Sequence, residues 1–212
     1  MKTDVFEIQG LKCVIGYPAL YEKGHKYPII IFLHGAGSRG EDIEILRSNP
    51  YFKIISQHKK FPFISVAPQC SKNTWFDQFD ALKRLTAEIT TYDFADPAKI
   101  YLMGASMGGY AVWQLAMSMP EIFAAIVPIC GGGMYWNAAR LTNIPIWAFH
   151  GALDKTVLVE ESVKMVDAVN QKKVTPSLLY IPITATTHGA IPMPTLKYFN
   201  GYLPIQIKKK YP

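Results

Sequence analysis

The sequence predicts an α/β fold built on a mainly parallel central sheet with helices against both faces. Three observations carry this. Continuous apolar runs such as Ile29–Leu33, Phe63–Ala67, Ile100–Met103 and Ile144–Phe149 read as strands buried on both sides. Helical spacing appears between them, most clearly in Trp75–Tyr92, with apolar residues at Phe76, Phe79, Leu82, Leu85 and Ile89. Glycine-rich and polar clusters follow the strand ends, where an open parallel sheet binds its ligands.

Taken in order, Val5–Ile8 and Leu11–Tyr17 are strand-like and separated by Gln9-Gly10, which predicts an N-terminal antiparallel hairpin. A loop through Pro18–Pro28 leads to the strand Ile29–Leu33 and then to His34-Gly35-Ala36-Gly37. Glu41–Arg47 has helical character with acidic residues in its first turn. Pro50 interrupts, and Tyr51–Gln57 reads as one or two further helical turns. After the Phe63–Ala67 strand and the Trp75–Tyr92 helix, Asp96-Pro97 signals a turn. The strand Ile100–Met103 precedes a helix over Met107–Met119. Strands are expected at Phe123–Ile129, Ile144–Phe149 and Ser177–Ile183, with helices at Val157–Asn170 and Thr195–Tyr202.

A chain of 212 residues predicts one domain, residues 1–212, with no insertion long enough for a lid domain. Half the residues are apolar and 18% are charged, which excludes a disordered chain. Cys13, Cys70 and Cys130 form no C-x-x-C pair, so reduced, mostly buried thiols are expected, without a zinc ribbon or redox motif. The start, MKTDVFEIQG, has no apolar core of a signal peptide, so a cytoplasmic chain is expected from the sequence as written; it is silent on a leader removed beforehand. No apolar run reaches the ~20 residues of a membrane span. The net charge of +6 comes in part from Lys208-Lys209-Lys210, read as a solvated terminus. Without interleaved basic and aromatic residues, no nucleic-acid partner is expected.

The chemistry centres on Ile100–Gly109, IYLMGASMGG. A strand, then Gly104-Ala105-Ser106-Met107-Gly108, then a helix, is the G-x-S-x-G nucleophile elbow in its expected setting. Side chains at Gly104 and Gly108 would collide with backbone in so tight a turn. The reactive residue types then fall after strands: Ser106 after Ile100–Met103, Asp154 after Ile144–Phe149, His188 after Ser177–Ile183. That order matches the one expected for an elbow hydrolase. His188 would accept the Ser106 proton and return it to the leaving group, while Asp154 would orient the imidazole. Main-chain N–H groups of Met107 and of Ala36 or Gly37 would hold the oxyanion. Asp154 has an alternative as a cap for the helix starting near Val157, and Asp167 is its acidic rival, though mid-helix. His25 and His58 read as solvated; His34 and His150, each before a glycine at a strand end, read as ties between loops.

On these residues the chain resembles the α/β-hydrolase superfamily, and within it the small lidless esterases grouped with phospholipase/carboxylesterases, feruloyl-esterase-like enzymes and predicted peptidases. The resemblance rests on Tyr27 through Gly37, Ala67-Pro68-Gln69-Cys70, Ile100 through Tyr110, Val127 through Gly133, and His150-Gly151 with Asp154. It implies an ester hydrolase with an acyl-serine intermediate, no cofactor and no metal. The triad would be Ser106, Asp154 and His188, and the oxyanion hole Ala36 and Met107. Relatives often carry a longer helix behind the catalytic histidine; here Pro192 and Pro194 follow His188 and disfavour one.

Trp75, Met107, Met134, Tyr135, Trp136 and Ile191 flank strand ends and could line an apolar cleft. Trp75 and Trp136, placed in loops, are the best candidates for substrate contact. Aromatic walls suit a small or aryl acyl ester. A peptidase or thioesterase would use the same triad, and a non-catalytic ligand-binding relative is the alternative from another class. Gly104–Gly109 lacks the Lys-[Ser/Thr] of a phosphate-binding P-loop. Oligomeric state is not legible.

Overall fold

A computed structural model of the chain describes residues 1–58 and 61–172. The expected strand Ser177–Ile183, the expected helix Thr195–Tyr202, and His188 and Ile191 lie outside the described residues.

Six strands form one mixed sheet: β1 (Lys2–Ile8), β2 (Leu11–Tyr17), β3 (Tyr27–Leu33), β4 (Ile64–Pro68), β5 (Ala95–Ala105) and β6 (Ala125–Ile129). Their order is β1-β2-β4-β3-β5-β6. The β1/β2 and β2/β4 pairs are antiparallel; β4, β3, β5 and β6 run parallel. The N-terminal hairpin turns on Gln9 (φ 52°) and Gly10 (φ 77°), the pair of positive φ values that a tight two-residue hairpin requires. Among the described residues five α-helices accompany the sheet: α1 (Ile43–Arg47), α2 (Pro50–Gln57), α3 (Phe79–Ile89), α4 (Met107–Ser118) and α5 (Val159–Lys172).

Alternation along the buried strands divides the core into two layers. Ile29, Ile31 and Leu33 of β3 pack with Leu82, Leu85 and Ile89 of α3, much of α4, and Met165, Val166 and Val169 of α5. Ile30 and Phe32 point the other way, onto Leu46 of α1 and Tyr51, Phe52 and Ile55 of α2. Helices therefore cover both faces, as the apolar runs require. No helix among the described residues is long and apolar enough to cross a membrane.

Several boundaries differ from expectation, each for a local reason. Pro50 starts α2 rather than interrupting: its missing N–H falls where a helix has no use for one, and the Asn49 side chain caps Tyr51 N–H at 2.9 Å. The helix expected over Trp75–Tyr92 divides into a 3₁₀ turn at Trp75–Gln78 and α3, because Thr74 and Asp77 form a capping box with Thr74 N–H donating to Asp77 at 2.8 Å. Phe76 consequently faces solvent. The Asp96-Pro97 turn sits inside the irregular start of β5, where Asp96 accepts from Ala98 N–H at 3.1 Å and the register against Tyr27/Ile29 shifts. Ile144–Phe149 lies parallel to β6 but forms only isolated bridges, at Ile146 and Phe149. Pro145 and Pro128 each remove a donor from that ladder. The 3₁₀ turn at Tyr135–Leu141 had no periodic apolar signal and was not anticipated.

Beneath α2, Tyr51 stacks on Phe32 with ring centroids 3.9 Å apart, and its hydroxyl meets Ser65 Oγ at 2.7 Å, both groups buried. Tyr51→Phe should lower unfolding free energy by about 1–2 kcal/mol, since Ser65 is left unpaired. Adding Ser65→Ala should recover part of that loss. Urea denaturation of the two variants checks this; a further full loss in the double variant would contradict it.

Candidate active site

Ser106 stands alone between the end of β5 and the start of α4, at φ 55° and ψ −119°. A side-chain-bearing residue avoids this region, so the neighbours must hold it there. Ser106 N–H donates to Ile129 O at 2.9 Å, and Ser106 O accepts from Tyr110 N–H at 3.1 Å. Glycines supply the remaining space. A Cβ on Gly108 would run into the carbonyl oxygen of Leu33, and one on Gly104 would lie 2.6 Å from Gly108 O. Serine at a helix N-cap ordinarily bonds the helix's own N–H groups. Ser106 occupies the N-cap of α4 without such a bond, so its Oγ is not consumed by capping. Met107 opens the helix, where backbone N–H groups have no intrahelical acceptor.

The loop after β3 comes in beside it. A Cβ on Gly35 would lie 3.2 Å from Ala105 O and 3.4 Å from Ser106 Cβ, so the loop passes close against the elbow and a side chain there would be tight. His34 is fully buried and fixes the loop. Its Nδ1 donates to Gly35 O at 2.7 Å and its Nε2 accepts from Cys70 N–H at 2.9 Å. One proton suffices for both bonds, so the neutral ring is the form that fits. Burial pushes its pKa down to about 4, against a smaller opposing effect of the Gly35 bond and a small further lowering from Arg39. With Gly35 O turned to the ring, the trans peptide turns Ala36 N–H the opposite way. That fixes the direction of the N–H expected to serve the oxyanion.

Asp154 lies in the turn after Phe149. Its Oδ1 accepts from Thr156 N–H at 2.8 Å and Val157 N–H at 3.1 Å, and Oδ2 is 4.0 Å from His150 Nε2. Asp154 does not cap the helix, which starts at Val159; Oδ1 instead holds the turn that precedes it. His150 is buried and bonds Ser162 Oγ at 2.7 Å and Val157 O at 2.8 Å. Both strand-end histidines thus tie loops, as their His-Gly setting suggested.

Cys130, not singled out as a candidate site residue from the sequence, feels both the Ser106 backbone and Asp154. Its φ of 40° turns the chain at the end of β6, with its N–H donating to Phe149 O at 2.8 Å. Its thiol is pushed up to about 11, mainly by burial, with the Ser106 backbone opposing and Asp154 adding to the rise. A neutral thiol is a poor nucleophile. Among the described residues no group of three or more His, Cys, Asp or Glu is arranged to hold a metal ion.

Comparison with known proteins finds hydrolases. Residues 65–138 match the Prolyl oligopeptidase family. A poly(3-hydroxyalkanoate) depolymerase C of Paucimonas lemoignei is 24% identical over 130 residues, 55% of this chain and 30% of that protein. A thermostable esterase of known structure superposes with TM-score 0.63 at 28% identity, covering 85% of this chain and 54% of the esterase. Est1E from Butyrivibrio proteoclasticus gives TM-score 0.64 at 16% identity, covering 85% of this chain and 88% of its own. The chain has the α/β-hydrolase fold. It spans less than a third of the depolymerase and about half of the thermostable esterase.

In this α/β-hydrolase chain the two tryptophans singled out for substrate contact occupy different settings. Trp75 is fully buried, its indole N–H donating to His34 O at 3.0 Å, which makes it a support of the loop after β3 rather than an open pocket wall. Trp136 is 72% exposed, packed edge-to-face on Tyr135 at 5.3 Å. Trp75 was legible as an aromatic after a strand; that it faces inward follows from its N–H finding a buried carbonyl.

His34 yields a test of stability. Its folded pKa, about 4, lies below the ordinary value of 6.5. The unfolded chain therefore binds the extra proton first as pH falls. The contribution is fully present above about pH 6.5 and is lost as pH falls toward about 4. Melting temperature should drop across that window, and the drop should be shallower in His34→Asn. An unchanged slope in the variant would contradict the assignment.

Proposed function

We propose that the protein is a serine hydrolase acting on carboxylic esters. The observation that supports this best is Ser106: a serine in a forbidding backbone conformation, its hydroxyl withheld from the cap it could make, at the meeting point of three strand-end loops. Strained conformations of this kind persist where surrounding structure enforces them, and they cluster at active sites.

Ser106 Oγ attacks the acyl carbon while His188 takes its proton. Asp154, through its Oδ2, orients the His188 ring and stabilises the imidazolium. Met107 and Ala36 N–H groups receive the negative oxygen of the tetrahedral intermediate. Collapse expels the alkoxide, which receives the proton from His188 and leaves an acyl-serine. Water then attacks under the same base and releases the acid. No cofactor or metal takes part. Trp136 and Tyr135 offer an apolar surface to a small or aryl acyl ester, with no nucleic-acid partner required.

A second reading is a peptidase on the same groups, favoured by the match of residues 65–138 to the Prolyl oligopeptidase family. Amides need stronger protonation of the leaving nitrogen than esters, so relative rates on matched esters and amides separate the two. The depolymerase relative adds polymeric hydroxyacid esters to the substrates worth trying.

The test is a panel of p-nitrophenyl esters, hydroxycinnamate esters and peptide amides. Ser106→Ala should lower kcat by roughly 10⁴–10⁶ on the preferred substrate. Equal, slow hydrolysis by wild type and variant would sink the enzyme reading. Activity should rise with pH through a value near about 6.5, as a neutral histidine base requires; a flat profile from acid to neutral pH would remove His188 from the base role. Asp154→Asn should fold normally yet lose at least about 10²–10⁴ in kcat.

A further inference from the structure

The buried ring of His150 touches no reacting atom, yet its bonds lead to both the acid and the nucleophile. We propose that His150 is a positioning residue that fixes the Asp154 carboxylate relative to the helix carrying Ser106; this rests on Asp154 being the catalytic acid.

The geometry begins at Val157. Its N–H donates to Asp154 Oδ1 at 3.1 Å, and its carbonyl accepts from His150 Nε2 at 2.8 Å. The residue that steadies one oxygen of Asp154 is therefore itself held at both its N–H and its C=O. A carbonyl only accepts, so Nε2 must carry a proton. The other ring nitrogen, Nδ1, is 2.7 Å from Ser162 Oγ, in the first turns of α5. Ser162 Oγ also lies 2.8 Å from Gly131 O, which accepts from Trp113 Nε1 of α4 at 3.2 Å; the single hydroxyl proton of Ser162 serves Nδ1 or that carbonyl, not both at once. Gly131 packs directly on Gly109 in the first turn of α4, so close that a Cβ on Gly131 would lie 2.5 Å from the Gly109 carbonyl carbon.

A continuous path thus runs from Asp154 through Val157, His150, Ser162 and Gly131 to the helix that starts at Ser106. His150 is 3% exposed and Ser162 and Trp113 are fully covered, while Val157 is half-buried. Water cannot readily replace the bonds made by His150 Nδ1, Ser162 and Trp113. With Oδ1 occupied by two backbone donors, Oδ2 is the oxygen left to face a histidine. Removing the ring frees the Val157 carbonyl and lets the turn relax, moving Oδ2 while leaving Ser106 and the oxyanion donors in place. Misplacement of a catalytic group by about 1 Å can cost 10²-fold in rate.

The experiment is a double-variant cycle on a p-nitrophenyl ester with kcat and KM measured separately. His150→Leu should reduce kcat by about 10–100-fold with KM within about twofold. In an Asp154→Asn background the same change should reduce kcat no further, because the acid it positions is already lost. A further 10–100-fold reduction there would overturn the proposal, since the ring would then act independently of the acid. Near-normal activity of Asp154→Asn alone would overturn the acid assignment and this inference together, a result separable from additivity. If His150→Leu does not fold, His150→Gln and His150→Asn decide. Glutamine places its amide N–H near the position of Nε2, and asparagine near that of Nδ1. Glutamine should hold kcat within about fivefold of wild type, and asparagine should fall about 10–100-fold. Equal kcat in the two would overturn the role.

Discussion

The Leu33 carbonyl lies where any side chain on Gly108 would have to go. This backbone-on-backbone contact seats the first turn of α4 against the end of β3. A second seat lies on the other side, where Gly109 meets Ile129 O and Gly131 at the end of β6. The helix therefore enters the sheet between two strand ends with no side chain as spacer. Its direction, and the direction of the Met107 N–H, are set by peptide planes, which deform far less than side-chain rotamers. Beyond this turn the helix is buried nearly all round, through Ala111, Val112, Trp113, Leu115 and Ala116. A core helix gripped at its N-terminus can hold a residue at its N-cap in a conformation that an exposed loop would relax.

Two His-Gly dipeptides finish the site in the same manner. Each histidine follows a segment that runs parallel in the sheet, turns its ring into the protein and uses both nitrogens: His34 bonds Gly35 and Cys70, and His150 bonds Val157 and Ser162. His34 joins the loop after β3 to Cys70, after β4; His150 joins the Asp154 turn to α5. An imidazole suits this because it spans two partners with a rigid ring and can supply a donor on one side and an acceptor on the other. The stiffness matters chemically. Donors aimed at a developing charge act well only if they need not reorganise when it appears.

Much of this arrangement was legible in the residues. The buried strands announced themselves as unbroken apolar runs, and the elbow as glycines flanking a serine between a strand and a helix. What stayed hidden was set by tertiary contact. Trp75 and Trp136 look alike in sequence, each in a loop after a strand. Only the acceptor at His34 O, beside one and not the other, turns Trp75 inward. Cys130 stood only as one residue of the Val127–Gly133 stretch, yet in the fold, at its positive φ, its thiol feels both the Ser106 backbone and Asp154. The Ile144–Phe149 strand was visible by composition, but its broken ladder depends on two prolines, one on each side of the pairing and at different rungs. Proline is readable locally; which strand its missing donor would have served is not.

The least economical feature of the fold is the one nearest the chemistry. A serine at a helix N-cap normally adds about 1 kcal/mol of stability by bonding the helix's free N–H groups. At Ser106 that bond is absent and the backbone sits at φ 55°, which costs roughly 1–3 kcal/mol. Local preference would relieve both at once by letting the residue return to the extended region and cap α4. Leu33 O, Ile129 O and the glycines at 104, 108 and 109 block that relaxation. The sheet and the helix are thus spent against the local preference of a single residue, and the hydroxyl is left with no intrahelical use. A fold under no demand at this point would keep the cap, so the conflict between local and global preference is the observation that supports the role proposed for Ser106.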